Sequence, residues 1–239
     1  MSKILSLIKT DFKNITRDEV LFFMPLLPII VGLVYRFGVP PLRNALIEYI
    51  DLADYYGFLT GIGIIMVPTI FGWIIGFLLL DERDENVLAV ITTTPLGKRK
   101  FLRYRFALSI VISVILSIML ILISGLTPLR LLWTLPVIIL ASMEAPLVTL
   151  FLASFASNKI EGLAIGKSTG IFLLGSFVPL FVESKIHLLG GLSPTYWVTQ
   201  SYIASFNDPL WYVIYLAGGV IVHIALFLLL MRKFEKRIG

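Results

Sequence analysis

The sequence predicts an all-α integral membrane protein with six transmembrane helices in a single domain over residues 1–239. Two features of the composition support this prediction: 58% of the residues are apolar and only 15% are charged, whereas soluble domains carry about 25% charged residues. The third observation is a series of apolar runs of about 20 residues, each long enough to cross a ~30 Å hydrocarbon layer.

The net charge and the residue counts indicate which partners and which chemistry are expected. The net charge of +5 and the pI near 9.4 fit the excess of Lys and Arg in cytoplasmic loops of membrane proteins. They do not indicate nucleic acid as a partner. The absence of cysteine excludes disulfides, thiolate metal sites and cysteine nucleophiles. We recognise no cleavable signal peptide, because the first apolar run is too long and lacks a small-residue cleavage site.

The N-terminal residues 1–19 predict an interfacial helix. Ile4, Ile8, Phe12 and Ile15 fall on one helical face, which is typical of a helix lying in the membrane surface. A plain basic tail is the alternative interpretation.

Six apolar segments are predicted as the spans. They are Val20–Val39, Gly57–Leu80, Phe106–Gly125, Leu129–Ala156, Ser168–Val182 and Trp211–Met231. Pro40-Pro41 is expected to end the first span, and Pro136 and Glu144-Ala145-Pro146 to interrupt the fourth. The fifth is too short to cross untilted, and residues 157–167 before it are expected to form an inner loop.

Two further patterns concern packing and the outer side. The pairs Gly57/Gly61 and Gly72/Gly76 have the small-xxx-small spacing that lets helix backbones approach closely. Residues 42–56 are predicted as an amphipathic outer segment. Residues 183–208 are predicted as an outer, re-entrant-like segment broken at Gly190-Gly191 and Pro194, and Asn207-Asp208-Pro209 predicts the start of the last span.

The distribution of basic residues fixes the expected orientation. Sixteen of the twenty Lys and Arg residues lie in segments on one side of the six spans. The positive-inside rule places that side, with both termini, in the cytoplasm. The polar stretch 81–105 is then cytoplasmic, and its residues Lys98, Arg99, Lys100, Arg103 and Arg105 are expected at the level of the lipid headgroups.

The first part of this stretch predicts a short amphipathic helix. Asp81 is expected to cap its N-terminus, and Asp84 and Glu85 favour the positive end of its dipole. An apolar stripe follows, and Pro95 ends the helix. The stripe suggests a docking site for a protein partner, whereas a solvated connecting loop is the alternative. The residues of the stripe are Val87, Leu88 and Ile91.

The run Asp81–Leu96, DERDENVLAVITTTPL, resembles the loop between the second and third helices of ABC-2 type transporter permeases. Residues 192–203, LSPTYWVTQSYI, resemble the segment before the last span of the same family. In that family an acidic cluster, a short amphipathic helix and a Thr-Pro-Leu-like ending form the coupling helix, which sits in a groove of the ATP-binding subunit. The order of the elements along the whole chain fits as well.

The resemblance implies a half-transporter of the ABC-2 exporter fold, in the plasma membrane of a prokaryote. A second permease subunit and two ABC ATPase subunits would be its partners, and ATP and Mg would bind to the ATPases rather than to this chain. The implied ATPase-docking residues, in a coupling loop at 81–105, are Asp81, Glu82, Asp84, Glu85, Val87, Leu88, Ile91 and Pro95. Residues implied to line a substrate path between two copies are Phe58, Ile62, Met66, Phe71, Phe172 and Phe177, each of which could equally face lipid or core.

Residues Gly162–Thr169, GLAIGKST, superficially resemble a phosphate-binding P-loop. That motif requires four residues between its glycines and a preceding strand, whereas here three residues separate the glycines and the surroundings are membrane spans. Nucleotide binding by this segment is therefore not expected.

Glu144 and His223 are the ionisable residues deepest in the apolar runs. Because burying charge in lipid is costly, each is a candidate functional residue. A carboxyl group stabilising the helix break near Pro146, and a histidine hydrogen-bonded between helices, are the structural alternatives.

Two other classes of function compete with the transporter. An intramembrane metalloprotease would require a His-Glu-x-x-His helix, and the only histidines are His187 and His223. No pattern indicates a catalytic residue or a metal site. An ATP-independent channel or scaffold would not need the amphipathic helix in the cytoplasmic stretch.

Overall fold

A computed structural model describes residues 11–85, 97–182 and 185–238. Within these ranges the chain is helical and contains no strand, and six helices are long and apolar enough to cross a membrane. The all-α membrane fold is therefore confirmed. The α-helices are α1 Glu19–Phe23, α2 Leu27–Leu46, α3 Tyr56–Asp84, α4 Gly97–Ser124, α5 Leu131–Ser142, α6 Glu144–Phe155, α7 Lys159–Ser168, α8 Leu174–Phe181, α9 Pro194–Asn207 and α10 Pro209–Ile238.

Short 3-10 helices join several of these elements. They cover Met24–Leu26, Leu52–Tyr55, Thr169–Leu173 and Lys185–Leu192. The first span combines α1, a 3-10 turn and α2, the fourth combines α5 and α6, and the fifth runs from α7 to α8. The second, third and sixth spans are the single helices α3, α4 and α10.

The second and fourth spans form the centre of the bundle. Of their most apolar 18-residue windows, 83% and 72% of the residues are buried, whereas the corresponding share is 33% or less in each of the other four spans. The peripheral spans keep much of their apolar surface uncovered by this chain, as expected for helices that face lipid or a partner.

Close approach of α3 and α6 explains the central packing. A Cβ atom added to Gly72 would lie 2.6 Å from Cβ of Val148, and one added to Gly76 would lie 2.7 Å from Cδ1 of Leu152. The Thr149 hydroxyl donates a hydrogen bond to the carbonyl oxygen of Gly72 over 3.0 Å. The small-xxx-small spacing at these two glycines was therefore a correct indication of a packing face.

Two predicted boundaries are wrong. The first span does not end at Pro40-Pro41, because α2 continues to Leu46. These prolines deprive the carbonyl groups of Arg36 and Phe37 of a helical donor. All four residues are exposed near the end of the span, where solvent can take the place of the missing donors.

The expected inner loop at 157–167 is mostly helical, since α7 begins at Lys159. The reason is a reciprocal cap. The Asn158 side chain accepts from the Glu161 N–H over 2.9 Å, and the Glu161 carboxylate accepts from the Ser157 N–H over 2.6 Å, closely resembling a capping box. The residues that resemble a P-loop therefore lie on a helix and the turn after it.

The fourth span breaks at Met143, directly before Glu144. The predicted interruption near Glu144-Ala145-Pro146 is thus confirmed, whereas Pro136 lies inside the continuous helix α5. The chain passes from the 3-10 helix Lys185–Leu192 into α9, which is largely buried. Asp208 caps α10, as predicted, by accepting from the N–H groups of Leu210 and Trp211, each over 3.1 Å.

One end of the bundle gathers residues from both ends of the described chain. Residues 11–18, the C-terminal end of α3, the start of α4, residues 153–161 and the end of α10 all meet there. With an even number of spans, both ends of the chain lie on the same side of the bundle. We call this end of the bundle the basal end. Of the predicted interfacial helix, residues 11–17 are helical, and residues 1–10 lie outside the described ranges.

Candidate functional site

Arg105 is the centre of a buried ion cluster at the basal end. Its side chain is fully buried. Its guanidinium group donates to both carboxylate oxygens of Glu82, over 2.5 and 2.9 Å, and to the Asp11 carboxylate over 2.7 Å. The Tyr104 hydroxyl donates to the same aspartate over 3.1 Å. A bidentate arginine–carboxylate pair fixes geometry as well as charge, so the N-terminal residues, α3 and α4 are joined at one point.

A second cation makes an equivalent connection to the fifth span. The Lys159 ammonium group donates to Asp18 over 2.6 Å and to Asp81 over 2.8 Å. We refer to the two clusters together as the basal clasp, which consists of Asp11, Asp18, Asp81, Glu82, Arg105 and Lys159. Four carboxylates against two cations leave the clasp with an excess of negative charge when all are ionised.

Two arginines tie the end of α6 to the same region. Arg83 donates to the carbonyl oxygens of Ala153 and Ala156, over 3.1 and 2.5 Å. Arg237 donates to the carbonyl oxygen of Ser154 over 2.5 Å. These carbonyl groups lie at the C-terminal end of α6, where helical donors are missing. The second, fourth and sixth spans are thereby joined below the membrane core.

The acidic cluster differs from its predicted form. Asp81 does not cap a new helix, because α3 continues through Asp84 and the Glu85 N–H donates to the Asp81 carbonyl over 2.9 Å. Acidic residues are unfavourable at a helix C-terminus, but here Arg105 and Lys159 neutralise two of them. Arg105 is likewise buried in protein and does not lie among lipid headgroups.

The predicted docking residues therefore divide into three sets. Asp81 and Glu82 are engaged within the chain. Asp84 and Glu85 are exposed at the end of α3. The apolar stripe and its terminator lie outside the described residues: Val87, Leu88, Ile91 and Pro95.

The predicted path residues on α3 also divide. Phe58 and Phe71 are buried, at 7% and 6% exposure, and both face the interior of this chain. Ile62 and Met66 are only half-buried. Between Thr60 and Leu80, all within the described ranges, the incompletely buried residues form one stripe at helical spacing: Ile62, Met66, Thr69 and Trp73.

The fifth span lies against this region, as the predicted path requires. Phe177 packs edge-on against Phe58, with ring centroids 5.1 Å apart, and the Trp73 indole donates to the Thr169 hydroxyl over 3.1 Å. Phe172 is half-buried and packs edge-on against Phe151 of α6. All six residues stay candidates for a path: Phe58, Ile62, Met66, Phe71, Phe172 and Phe177.

Glu144 and His223 are partners. The His223 Nε2 atom lies 3.3 Å from the Glu144 Oε1 atom, and both side chains are buried. His223 Nδ1 lies 2.8 Å from the Gly219 carbonyl oxygen of its own helix, so Nδ1 carries the proton. The pair thus joins the fourth and sixth spans at a buried site.

Sequence reasoning missed Asp11, Asp18 and Lys159 as structural partners of the acidic cluster, and placed Arg105 wrongly. The partners of Arg105 lie 94 and 23 residues away, and no local pattern indicates such pairings. One signal for Arg105 was available in the sequence, because this residue comes directly before an apolar run. A basic residue at such a position can also be buried by its own chain.

The fold and the joined basal end define a multi-pass membrane protein whose spans are tied at one end by ion pairs. Over residues 11–231 the sequence matches the family described as Rv2686c-like, fluoroquinolones export permease protein Rv2686c-like. The chain therefore belongs to this family of export permeases, which is consistent with the resemblance to ABC-2 type permeases.

Two relatives come from strains of Mycobacterium tuberculosis. They are the fluoroquinolones export permease proteins MT2760 and Rv2686c. Each is 27% identical over 238 residues, which covers 96% of this chain and 92% of the relative. No solved structure matches the chain. Membership in a permease family favours transport over enzymatic activity.

Proposed function

We propose that the chain is the membrane-spanning subunit of an ATP-driven ABC export system. It works with a second permease subunit, identical or homologous, and with two ATPase subunits that bind ATP and Mg²⁺ and carry the ATPase activity. The chain lies in the plasma membrane with both termini in the cytoplasm, so that the basal end faces the ATPases.

The observation that carries the proposal is the position of the basal clasp. The coupling helix was predicted over residues 81–96, and residues 86–96 follow the end of α3 in the sequence. Asp81 and Glu82, a few residues earlier, are ion-paired to Lys159 of α7 and Arg105 of α4. A displacement of the coupling segment would therefore be passed to the second, third and fifth spans together. Protein interiors transmit such strain because they are close-packed.

The substrate path is proposed to form between two copies of the permease. The half-buried stripe that contains Ile62 and Met66, together with Phe172 and Phe177 of the fifth span, would contribute to it. The relatives are named for export of fluoroquinolones, and we propose amphipathic aromatic drugs of this class as the cargo. Apolar pathway residues and a membrane-soluble cargo are chemically compatible.

The coupling assignment is tested by purifying the chain together with its candidate ATPase and replacing Leu88 by Asp. A charge in the apolar stripe should release the ATPase or abolish stimulation of ATP hydrolysis by the permease, because an unpaired charge would be buried in the docking groove. The matched control is Leu192→Asp, at an exposed leucine on the opposite end of the bundle, which should leave the complex intact. An unchanged complex with unchanged ATPase activity in Leu88→Asp would refute the docking assignment.

A further inference from the structure

A groove runs along α6 and α10 from the membrane interior toward the basal end. Its volume is about 340 Å³, within the range of pockets that bind drug-sized molecules. Phe172 closes one side. The lining is apolar except at two places, Glu144 and Lys233. The apolar lining residues include Leu147, Val148, Phe151, Phe155, Leu226 and Leu229.

The interior end of the groove carries an incompletely satisfied carboxyl group. Glu144 is 3% exposed. Its Oε1 atom makes no well-formed hydrogen bond to any described residue, and neither does the Nε2 atom of His223 that faces it. A buried carboxyl group without good donors is costly in an apolar site. It would gain from a ligand that brings a donor and a positive charge.

The other end of the groove is cationic. The Lys233 ammonium group lies over the Phe155 ring, 3.4 Å from its centroid. Lys233 follows His223 by ten residues of the continuous helix α10, so the two ends of the groove lie roughly 15 Å apart at 1.5 Å of rise per residue. Aromatic side chains line the space between them.

We propose that this groove binds an aromatic amphiphile with a basic amine at one end and an acidic group at the other. The amine pairs with Glu144, the aromatic body packs against Phe151, Phe155 and Phe172, and the acidic group lies near Lys233. This inference rests on the proposed function, because the class of cargo comes from it. The groove specifies where and how this chain holds that cargo.

Charge balance selects this occupant. The central parts of the second to sixth spans contain no other Asp, Glu, Lys, Arg or His besides Glu144 and His223. A ligand ammonium group would bring both a hydrogen-bond donor and a positive charge to the Glu144 carboxyl group. A lipid acyl chain would fill the apolar part of the groove but would leave Glu144 without a donor. A second copy of the chain could cover the groove, but the central parts of its second to sixth spans contain no Lys or Arg to pair with Glu144.

The test uses the full-length chain in lipid nanodiscs and the intrinsic fluorescence of norfloxacin, a fluoroquinolone with a basic piperazine amine. N-acetylnorfloxacin, whose acylated amine carries no charge, is the matched ligand. We expect Glu144→Gln to weaken norfloxacin binding by at least about tenfold, the effect of losing one buried charged contact. The same substitution should leave the weaker binding of the N-acetyl compound unchanged. Lys233→Gln should have a smaller effect of the same sign.

A steric pair of variants keeps the test independent of folding effects at Glu144. Leu229→Trp should fill the groove and abolish binding, because Leu229 is an exposed lining residue. Leu132→Trp places the same side chain at an exposed leucine of a separate apolar groove along α5 and should not change binding.

Three outcomes would overturn the groove assignment: no binding to the wild-type chain, equal binding by Glu144→Gln, or equal effects of the two tryptophan variants. Equal binding by Glu144→Gln, or equal effects of the two tryptophan variants, would also be expected if lipid occupied the groove, because the charge of Glu144 does not matter to a lipid chain. ATP-dependent uptake of norfloxacin into inside-out vesicles with the ATPase is measured separately. If norfloxacin is taken up but the groove variants bind it as well as the wild type does, the groove assignment is refuted and the proposed function stands. Charge-selective binding without uptake supports the groove and refutes the proposed function.

Discussion

Gly72 of α3 and Val148 of α6 lie so close together that no side chain fits between them. A Cβ atom on Gly72 would stand 2.6 Å from the Val148 Cβ and 2.8 Å from the Ala145 carbonyl oxygen. Because backbone atoms are among those approached, a rotamer change of Val148 cannot make room. This contact joins the two most buried spans and sets the distance between them.

Replacing Gly72 by Ala should therefore destabilise the bundle, by about 1–3 kcal/mol as in other overpacked interiors. The control is Gly38→Ala, where an added Cβ would meet only the Val34 side chain at 3.8 Å; this change should be neutral or slightly stabilising in a helix. Thermal unfolding of both variants in the same detergent measures the difference. Equal unfolding midpoints would show that α3 and α6 can separate at little cost.

Arg105 provides a prediction for the basal clasp. Arg105→Gln removes the cation from two buried carboxylates, and breaking a buried ion pair from one side costs about 3–5 kcal/mol. Arg103→Gln is the matched control, since Arg103 is exposed on the same helix and should unfold like the wild type. A partly restored midpoint in the double variant Arg105→Gln, Glu82→Gln would identify the uncompensated Glu82 carboxylate as one cause of the loss.

Replacing Lys159 distinguishes a role of the clasp in stability from a role in transmitting motion to the fifth span. Its side chain and those of Asp18 and Asp81 are each about 30% exposed, so solvent screens the pairs and Lys159→Gln should cost less than about 1 kcal/mol. If the clasp transmits motion to the fifth span, the same change should lower norfloxacin export per ATP hydrolysed while the ATPase stays bound. Lys167→Gln, at an exposed site on the same helix, should leave this ratio unchanged. An unchanged ratio in Lys159→Gln would limit the second cluster to a structural role.

Asp51 gives a pH-dependent prediction for the segment between α2 and α3. The hydrogen bond from Arg43, and then the one from the Ala53 N–H, lower the pKa of Asp51 from 3.8 to about 2. Because the folded-state pKa is the lower one, the stabilisation is complete above about pH 4 and is lost as the pH falls through about 2. Asp51→Asn should lower the unfolding midpoint at neutral pH, and the difference from wild type should shrink between pH 4 and 2.

Asp54→Asn is the control for this experiment, because Asp54 makes no ion pair among the described residues. A constant difference between wild type and Asp51→Asn across the acid range would mean that the aspartate acts through its shape alone.

The sequence was sufficient for the number of spans and for the packing role of Gly72 and Gly76, because both depend on local composition and spacing. It was insufficient where contacts between residues distant in the sequence determine where a helix ends or which side chains pair. α3 extends through Asp81 and Glu82 because Lys159 and Arg105 neutralise them, and the Glu144–His223 pair joins two separate spans. The fifth span begins earlier than expected because a cap at Asn158 favours helix over loop.

The pairing of Asp11 with Arg105 has a consequence for the biosynthesis of the chain. These partners are separated by 94 residues, which a ribosome adds in about 5 to 20 s. By the end of that interval the nascent chain includes the sequences of two spans and the carboxylates of Asp11 and Glu82, and only then does it gain the arginine that joins them. Insertion of the third span is thus the step that closes the base of the bundle. A chain arrested before it would present unpaired acidic residues to the insertion and quality-control machinery.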